Sequence, residues 1–435
     1  MLSRREFIRS LTLAAAAPTL APAGEVAAAA TPAAPPTPHG WPADHDPQYW
    51  PKLRKQFDLR DDEVFFNTST LGSPPRAVTD AVATSMRRLS ATLAEWSYQH
   101  DQPNWISGYS GEEPIRAKLA GLIHAEPSEV ALTQNATMGL SFVAMGLDLE
   151  SGDEIIQTDQ EHVGAKSCWE ALKKRHGIVW KTVALPVPMN DPDEIVRLVE
   201  AAITPKTRVI AWPHITSQLG AVQPVREICA LAQLHGVYTV IDGAQAIGQI
   251  PIDVHAIGCD AYVGSPHKWL LAPAGNGFLY LRQASANRVW TTLASGEWAN
   301  EKDPGARLTQ RGTGNLSLVQ GLDAAMDFHL RVGPERWFAR ILELGNYLRA
   351  RLADLPGVVV SSSTREGMCA GMTTWKLGDY PPYQMVDDIW RHARIRPRAV
   401  SPVWGIRTST AIYNSEREID RLLAAAREVA KQRRG

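Results

Sequence analysis

Two stretches of the chain carry most of the information about its fold: YTVIDGAQ at residues 238–245 and AYVGSPHK at residues 261–268. Each begins with a short run of β-branched and aromatic residues, which is typical of a buried strand. Asp242 follows the first run directly, and Lys268 follows the second after a short loop. Because neighbouring parallel strands end at one edge of a sheet, the sequence predicts that this carboxylate and this amine lie close together.

Similar runs lie at residues 130–133, 154–157, 178–183 and 208–212. Helical patterns lie between several of them, and the pattern over residues 225–235 ends before Gly236, a typical helix terminator. Alternating strands and helices predict an α/β fold with a mostly parallel sheet that is covered on both faces. After Gly321 a long helix, short strands and a last helix from Ser415 predict a smaller α+β domain.

The composition limits the classes of protein to consider. The 435 residues are 44% hydrophobic and 21% charged, which excludes a wholly disordered chain. Lys and Arg number 45 against 46 Asp and Glu, so the charge balance does not indicate a nucleic-acid partner. The four cysteines, Cys168, Cys229, Cys259 and Cys369, match neither a zinc motif nor a disulfide framework, and we predict no metal site.

The first residues resemble an export signal. Residues 3–9 read SRREFIR, and an alanine-rich run and a small-residue triplet at 21–23 follow. Paired arginines before such a run are typical of a twin-arginine signal peptide, and the run is too short to span a bilayer. We expect a periplasmic protein without a membrane span. The twin-arginine export machinery would carry it folded across the membrane, commonly because a cofactor is inserted first.

An amine and a carboxylate at adjacent strand ends are the groups that pyridoxal 5'-phosphate requires. The amine of Lys268 would form a Schiff base with the aldehyde of this cofactor. The carboxylate of Asp242 would keep the pyridine nitrogen protonated, so that the ring accepts electrons from a substrate. Asp242 could instead cap the following helix, a common role for Asp after a strand.

The motifs Asp242-x-x-Gln245 and Ser265-x-His267-Lys268 resemble those of the class V aminotransferase family of fold-type I enzymes. This family includes cysteine desulfurases, kynureninase and isopenicillin N epimerase-like proteins, and the resemblance covers about residues 60–430. It implies a pyridoxal-phosphate enzyme with a large, mostly parallel mixed-sheet domain and a small α+β C-terminal domain. The expected parts are a signal peptide and disordered leader (1–38), a segment packed on the small domain (39–100), the cofactor-binding domain (101–320) and the small domain (321–435).

The resemblance implies a phosphate site. The backbone N–H groups of Ala136 and Thr137 and the Thr137 hydroxyl would meet the phosphate at a helix N-terminus. Ser265 and His267 would bind it from a second loop. Thr313, in the sequence RGT at residues 311–313, would reach the phosphate of a second subunit, which implies a homodimer.

The resemblance also assigns residues around the cofactor ring. His162, which follows Glu161, matches the position whose imidazole stacks on the ring. Gln245 would donate a hydrogen bond to the phenolic oxygen, and Ser217 or Gln218 would lie near the ring. With Lys268 and Asp242, His162 completes the set of candidate catalytic residues.

Two segments are candidates for substrate binding. The stretch FFNTSTLGSPPR at residues 65–76 resembles the family's opening strand and turn, which places Asn67 near the substrate. GIRTS at residues 405–409 resembles the family's carboxylate-binding motif, and a guanidinium suits the bidentate capture of an α-carboxylate, so Arg407 is the predicted anchor. Arg407 could instead form a structural ion pair.

The residues leave the reaction open. Lys268 would act as a general base at the α-carbon of the substrate, and transamination, epimerisation or elimination at a C–S or C–N bond could follow. Cysteine desulfurases of this family carry a nucleophilic cysteine shortly before the carboxylate-binding arginine, and residues 395–404 contain none. The motifs look closest to the isopenicillin N epimerase-like branch, which favours an amino acid or an amino-acid-derived secondary metabolite as substrate. Two alternatives remain: a non-catalytic cofactor-binding homologue and an exported binding protein without a cofactor.

Overall fold

The computed structural model describes residues 41–95, 112–309 and 312–434. The predicted signal peptide and leader lie outside these residues. In the described part the strands are β1 Val64–Phe65, β2 Val130–Thr133, β3 Glu154–Thr158, β4 Val179–Val183, β5 Thr207–Pro213, β6 Tyr238–Asp242, β7 Ala261–Gly264, β8 Gly277–Leu281, β9 Val358–Val360, β10 Met372–Leu377, β11 Ile395–Arg396, β12 Arg398–Ser401 and β13 Gly405–Ser409.

The largest sheet has seven strands in the order β2-β8-β7-β6-β5-β3-β4. Five neighbouring strands of this sheet, β7, β6, β5, β3 and β4, pair in parallel. Strand β8 is antiparallel to both of its neighbours, β7 and β2. The six strands predicted between residues 130 and 264 are present, each within one residue of its expected ends. Strand β8 is not among the predicted strands, because its continuous apolar run GFLYL has no periodicity that separates a strand from a buried helix.

Helices cover the large sheet on both faces. The α-helices of the described residues are α1 Tyr49–Arg54, α2 Arg76–Thr92, α3 Glu113–Leu122, α4 Ala136–Gly146, α5 Val163–His176, α6 Pro192–Ala202, α7 Val225–Leu234, α8 Val254–Ile257, α9 Pro304–Thr309, α10 Leu316–Val332, α11 Pro334–Ala353, α12 Pro382–Ala393 and α13 Glu416–Arg434. Consecutive residues of one strand point to opposite faces of the sheet and enter different cores: Ile241 packs in one apolar cluster and Val240 in another. This two-sided burial explains why central strands such as β7 and β8 are buried along their whole length.

A smaller antiparallel sheet, in the order β12-β13-β10-β9, forms near the C-terminus. Leu348, Trp375 and Leu422, from α11, β10 and α13, belong to a third apolar core. The fold is therefore the predicted one, a large mixed sheet followed by a smaller α+β unit. Val64 of β1 pairs with Ile395 of β11, so the N-terminal segment contacts this unit. The residue limits of the domains stay a prediction.

The loop after β1 contacts the loop after β7 through its backbone. Gly72 N donates a 2.8 Å hydrogen bond to the carbonyl oxygen of His267. A Cβ atom at position 72 would lie only 2.0 Å from the carbonyl oxygen of Lys268. Glycine is therefore required for this close approach, which carries Ser69 and Thr70 to the predicted site. No helix among the described residues has the length and apolar character needed to cross a membrane.

Candidate active site

A cavity of about 480 Å³ opens where β5, β6 and β7 end. Small-molecule sites commonly occupy roughly 300–1,000 Å³. The carboxyl ends of parallel strands are where α/β proteins bind their ligands. Eleven of the predicted residues line this cavity: Ala136, Thr137, His162, Ser217, Gln218, Asp242, Gln245, Ser265, His267, Lys268 and Arg407.

Asp242 and Lys268 line the same cavity. Asp242 is the last residue of β6 and lies opposite Val263 of β7, and Lys268 follows shortly after β7. Burial lowers the pKa of Lys268 to about 8, and the charge of Asp242 opposes this shift. A lysine with a lowered pKa has more of its amine in the neutral form near neutral pH, and the neutral amine is the form that acts as nucleophile and proton acceptor. Asp242 Oδ1 also accepts a 2.9 Å hydrogen bond from Ala244 N, so it caps its own turn as well.

The N-terminus of α4 forms one end of the cavity. The side chain of Asn135 caps this helix by accepting a hydrogen bond from Met138 N. Ala136 N donates a 3.1 Å hydrogen bond to Ser265 Oγ, which links the helix to the loop after β7. Helix N-termini carry partial positive charge, and the nearby hydroxyl groups of Thr137 and Ser265 can donate hydrogen bonds. This set of donors suits a phosphate group.

His162 caps the N-terminus of α5, where its Nδ1 accepts a 3.1 Å hydrogen bond from Gly164 N. In the neutral ring the proton is therefore on Nε2. Burial, and after it the charge of Lys268, lowers the pKa of His162. The lowered pKa favours the neutral imidazole at the cavity, and the stacking role of His162 stays a prediction.

The buried side chain of Gln245 is held from two sides. Its Nε2 donates a 2.8 Å hydrogen bond to the carbonyl oxygen of Ser69, and its Oε1 accepts a 2.9 Å hydrogen bond from Trp269 Nε1. An amide nitrogen carries two N–H groups. The second N–H of Gln245 is the one that the predicted bond to the cofactor can use.

Arg407 lies on β13 and is only 4% exposed. Its Nη1 donates to the carbonyl oxygen of Ser217, and its Nη2 lies 3.3 Å from Thr70 Oγ1. Burial, and after it the charge of Arg398, lowers the pKa of Arg407 to about 9, so its guanidinium stays charged at neutral pH. Its buried Nε atom has no hydrogen-bond partner among the described residues.

Two predicted residues do not line the cavity. Asn67 Oδ1 accepts a 2.7 Å hydrogen bond from Thr70 Oγ1 and lies 3.5 Å from Arg407 Nη2, so Asn67 contacts the predicted substrate anchor. Thr313 is exposed on the surface of this chain, and Arg311 lies outside the described residues. The contribution of Thr313 to a second subunit stays a prediction.

Three residues without a predicted role also line the cavity: Thr70, Glu161 and Arg398. Burial, and after it the charge of Asp242, raises the pKa of Glu161 well above its ordinary value, which favours the protonated acid. Arg398 lies opposite Arg407 on the neighbouring strand. Recognising the hairpin of β12 and β13 could have paired the two arginines, but an irregularity between Ala399 and Ser401 shifts its register.

The residues of the cavity fit pyridoxal phosphate. The donors at the N-terminus of α4 suit its phosphate, the amine of Lys268 suits its aldehyde, and the carboxylate of Asp242 suits its pyridine nitrogen. Among the described residues, no group of three or more His, Cys, Asp or Glu side chains could hold a metal ion.

Comparison with known proteins places the chain in a family. A family model described as aminotransferase class-V matches residues 75–422. The chain belongs to the class V aminotransferase family. It is 32% identical over 404 residues to isopenicillin N epimerase of Amycolatopsis lactamdurans, an alignment that covers 88% of this chain and 99% of the relative. It is 28% identical over 407 residues to a probable cysteine desulfurase of Xylella fastidiosa (strain 9a5c), with 88% and 96% covered.

Solved structures agree with this membership. A mutant of C-DES with glycine linked covalently to its PLP cofactor has a TM-score of 0.75 at 25% identity, with 86% of this class V chain and 98% of the other covered. The cystine C-S lyase C-DES with its product cysteine persulfide has a TM-score of 0.74 at 26% identity, with 84% and 97% covered. The chain is therefore a PLP-dependent enzyme of fold type I.

Proposed function

We propose that this class V enzyme catalyses the transamination or epimerisation of an amino acid or an amino-acid-derived secondary metabolite. The observation that carries the proposal is that Arg407 lines one cavity together with Lys268 and Asp242. A buried guanidinium beside a reactive amine suits a substrate that carries both a carboxylate and an amine. The identity to isopenicillin N epimerase supports the same class of substrate.

Each residue has a distinct task in this proposal. Pyridoxal phosphate, when bound, supplies an aldehyde that condenses with amines and a ring that withdraws electrons from the amine-bearing carbon. Arg407 binds the substrate carboxylate and thereby orients the α-carbon toward Lys268. Lys268 removes the α-proton, for which its pKa of about 8 is suited. Asp242 would keep the ring nitrogen of the cofactor protonated, and His162 would pack on the ring.

A C–S or C–N lyase is the second candidate, and the likeness to the cystine C-S lyase C-DES favours it. Persulfide transfer of the desulfurase kind has less support from this chain. None of its four cysteines lines the cavity. Cys369 is buried, and burial raises the pKa of its thiol, which disfavours the reactive thiolate.

The absorption spectrum tests whether the protein binds pyridoxal phosphate and whether Lys268 is the residue that holds it. The purified protein is expected to absorb visible light as lysine-linked pyridoxal phosphate, and Lys268→Ala should abolish this band and the activity. Lys174→Ala, on the exposed last turn of α5, is the matched control and should retain both. A wild-type protein without bound cofactor by mass spectrometry would overturn the proposal. A wild-type protein with cofactor but no turnover of any amino acid would indicate the non-catalytic alternative.

Product analysis in deuterated water distinguishes the reactions. A panel of amino acids is incubated with the enzyme, and the products are analysed by mass spectrometry and chiral chromatography. Deuterium at the α-carbon with inversion indicates epimerisation. A keto acid with the amine retained on the enzyme indicates transamination, whereas release of ammonia together with a side-chain group indicates the lyase.

We also propose that the protein is exported to the periplasm by the twin-arginine route. The arginine pair Arg4-Arg5 and the apolar run after it support this location. In a bacterial host, replacement of both arginines by lysine is expected to retain the protein in the cytoplasmic fraction. Equal periplasmic amounts of the variant and the wild type would refute this route.

A homodimer is the proposed assembly. Trp290, Leu293 and Trp298 are large apolar side chains exposed on this chain, and burying them against a second copy would favour association. Sedimentation is expected to give the mass of a dimer. Thr313→Ala should weaken cofactor binding without changing that mass, and unaltered cofactor affinity would remove Thr313 from the site.

A further inference from the structure

Two guanidinium groups meet at one hydroxyl inside the cavity. Arg398 Nη1 lies 2.6 Å from Thr70 Oγ1, and Arg407 Nη2 lies 3.3 Å from the same oxygen. The Thr70 hydroxyl donates its own proton to Asn67 Oδ1 at 2.7 Å. A hydroxyl has one donor and two acceptor positions, so these three contacts use its full capacity. Thr70 therefore fixes both arginines beside each other.

This arrangement brings two like charges together. Arg398 and Arg407 are directly opposite each other in the antiparallel pair of β12 and β13. Like charges at opposed positions of neighbouring strands are destabilising. Among the residues that the structure describes, neither guanidinium forms an ion pair with a carboxylate. The charge of Arg398 also lowers the pKa of Arg407, and no acid is among the groups that shift it.

The two arginines differ in depth. Arg407 is buried and uses part of its guanidinium on the carbonyl oxygen of Ser217, whereas Arg398 is exposed and still lines the cavity. Val400, two residues along the same strand, lines the cavity as well, so this face of β12 is turned toward the site. A ligand in the cavity would therefore meet the positive charge of Arg407 at its buried end and the positive charge of Arg398 at its exposed end.

We propose that Arg398 binds a second carboxylate of the substrate, so that the enzyme selects short amino acids with an acidic side chain, of the aspartate or glutamate class. Arg407 holds the α-carboxylate and Arg398 holds the side-chain carboxylate. A short carbon chain is required because both guanidinium groups lie within 3.3 Å of one oxygen. This inference rests on the proposed function, in which Arg407 is the anchor of an amino-acid substrate.

The test measures the binding of two probes to the purified holoenzyme by calorimetry. Glutarate carries two carboxylates, and butyrate carries one. The wild type is expected to bind glutarate at least about tenfold more tightly than butyrate. Arg398→Gln should remove most of that preference and leave the affinity for butyrate within about twofold, while Arg398→Lys should keep part of it. Arg391→Gln, which removes an exposed arginine of α12, is the matched control and should behave as the wild type.

Two outcomes would overturn the inference. The first is equal binding of glutarate and butyrate to the wild type. The second is an equal loss of both affinities in Arg398→Gln, which would mean that both arginines hold one carboxylate. The visible absorption and the turnover of amino acids are recorded on the same samples. Their presence without a preference for glutarate refutes only the role of Arg398, whereas their absence refutes the proposed function itself.

Discussion

The backbones of Gly72 and Lys268 are so close that a Cβ atom at position 72 would lie 2.0 Å from the Lys268 carbonyl oxygen. Gly72→Ala is therefore expected to lower the free energy of unfolding by about 1–3 kcal/mol, the usual cost of overpacking. It should also reduce turnover, because either the loop after β1 or Lys268 must shift. Gly121→Ala is the control, since a Cβ there meets nothing within 4 Å. Denaturation in urea measures both variants, and equal stability of the two would contradict the close contact.

Asp242→Asn separates the charge of this side chain from its capping role. Asparagine retains an oxygen that can accept the hydrogen bond from Ala244 N, so the free energy of unfolding should change by less than about 1 kcal/mol. Turnover should fall by about 10²–10³, because the positive charge on the cofactor ring loses its counter-charge. Asp242→Ala should lose both activity and stability. Nearly normal turnover of Asp242→Asn would mean that Asp242 only caps its turn and that its charge does not contribute to the reaction.

The rate of cofactor uptake by the apoprotein should depend on the pKa of Lys268. Burial lowers this pKa from 10.5 to about 8, and only the neutral amine attacks the aldehyde. Below pH 8 the rate should rise about tenfold per pH unit, and above pH 8 it should level off. Arg398→Gln should move the midpoint upward, because the charge of Arg398 lowers the pKa of Lys268. Stopped-flow absorbance records the rate, and a rise that continues beyond pH 10 would indicate an ordinary lysine.

Arg407 should act on substrate binding and not on cofactor binding. Arg407→Ala is expected to raise the KM for amino-acid substrates by about a hundredfold, since a buried charge partner of the carboxylate is lost. The visible absorption band should persist. Arg407→Lys keeps the positive charge but lacks the planar guanidinium group, so its KM should lie between those of the wild type and Arg407→Ala. Steady-state kinetics measures the three proteins, and an unchanged KM would place Arg407 outside the substrate site.

Much of the fold is predictable because it depends on local patterns. The strands from β2 to β7 are short apolar runs, and the rule that parallel strands end at one edge is enough to bring Asp242 and Lys268 together. The run GFLYL was missed because its lack of alternation fits a buried helix as well as a strand. Its antiparallel insertion between β7 and β2 is a property of the assembled sheet.

The contacts of Thr70 and Arg398 could not be predicted from the sequence. They join segments more than 300 residues apart, as the separation of 328 residues between Thr70 and Arg398 shows. The local sequence around Arg398 is typical of an exposed edge strand, and only the register of β12 against β13 places it beside Arg407. The same holds for Gln245, whose two hydrogen bonds depend on Ser69 and Trp269 reaching it from different loops.

The strand β13 also sets an order of events during synthesis, because Gly405–Ser409 lies near the end of the 435-residue chain. A nascent polypeptide that stops before this strand already contains the lysine and the helix terminus for the phosphate, but it lacks the guanidinium of Arg407. Such a truncated product lacks the proposed anchor for the carboxylate of an amino acid. Translation must therefore pass β13 before the proposed substrate half of the site can form.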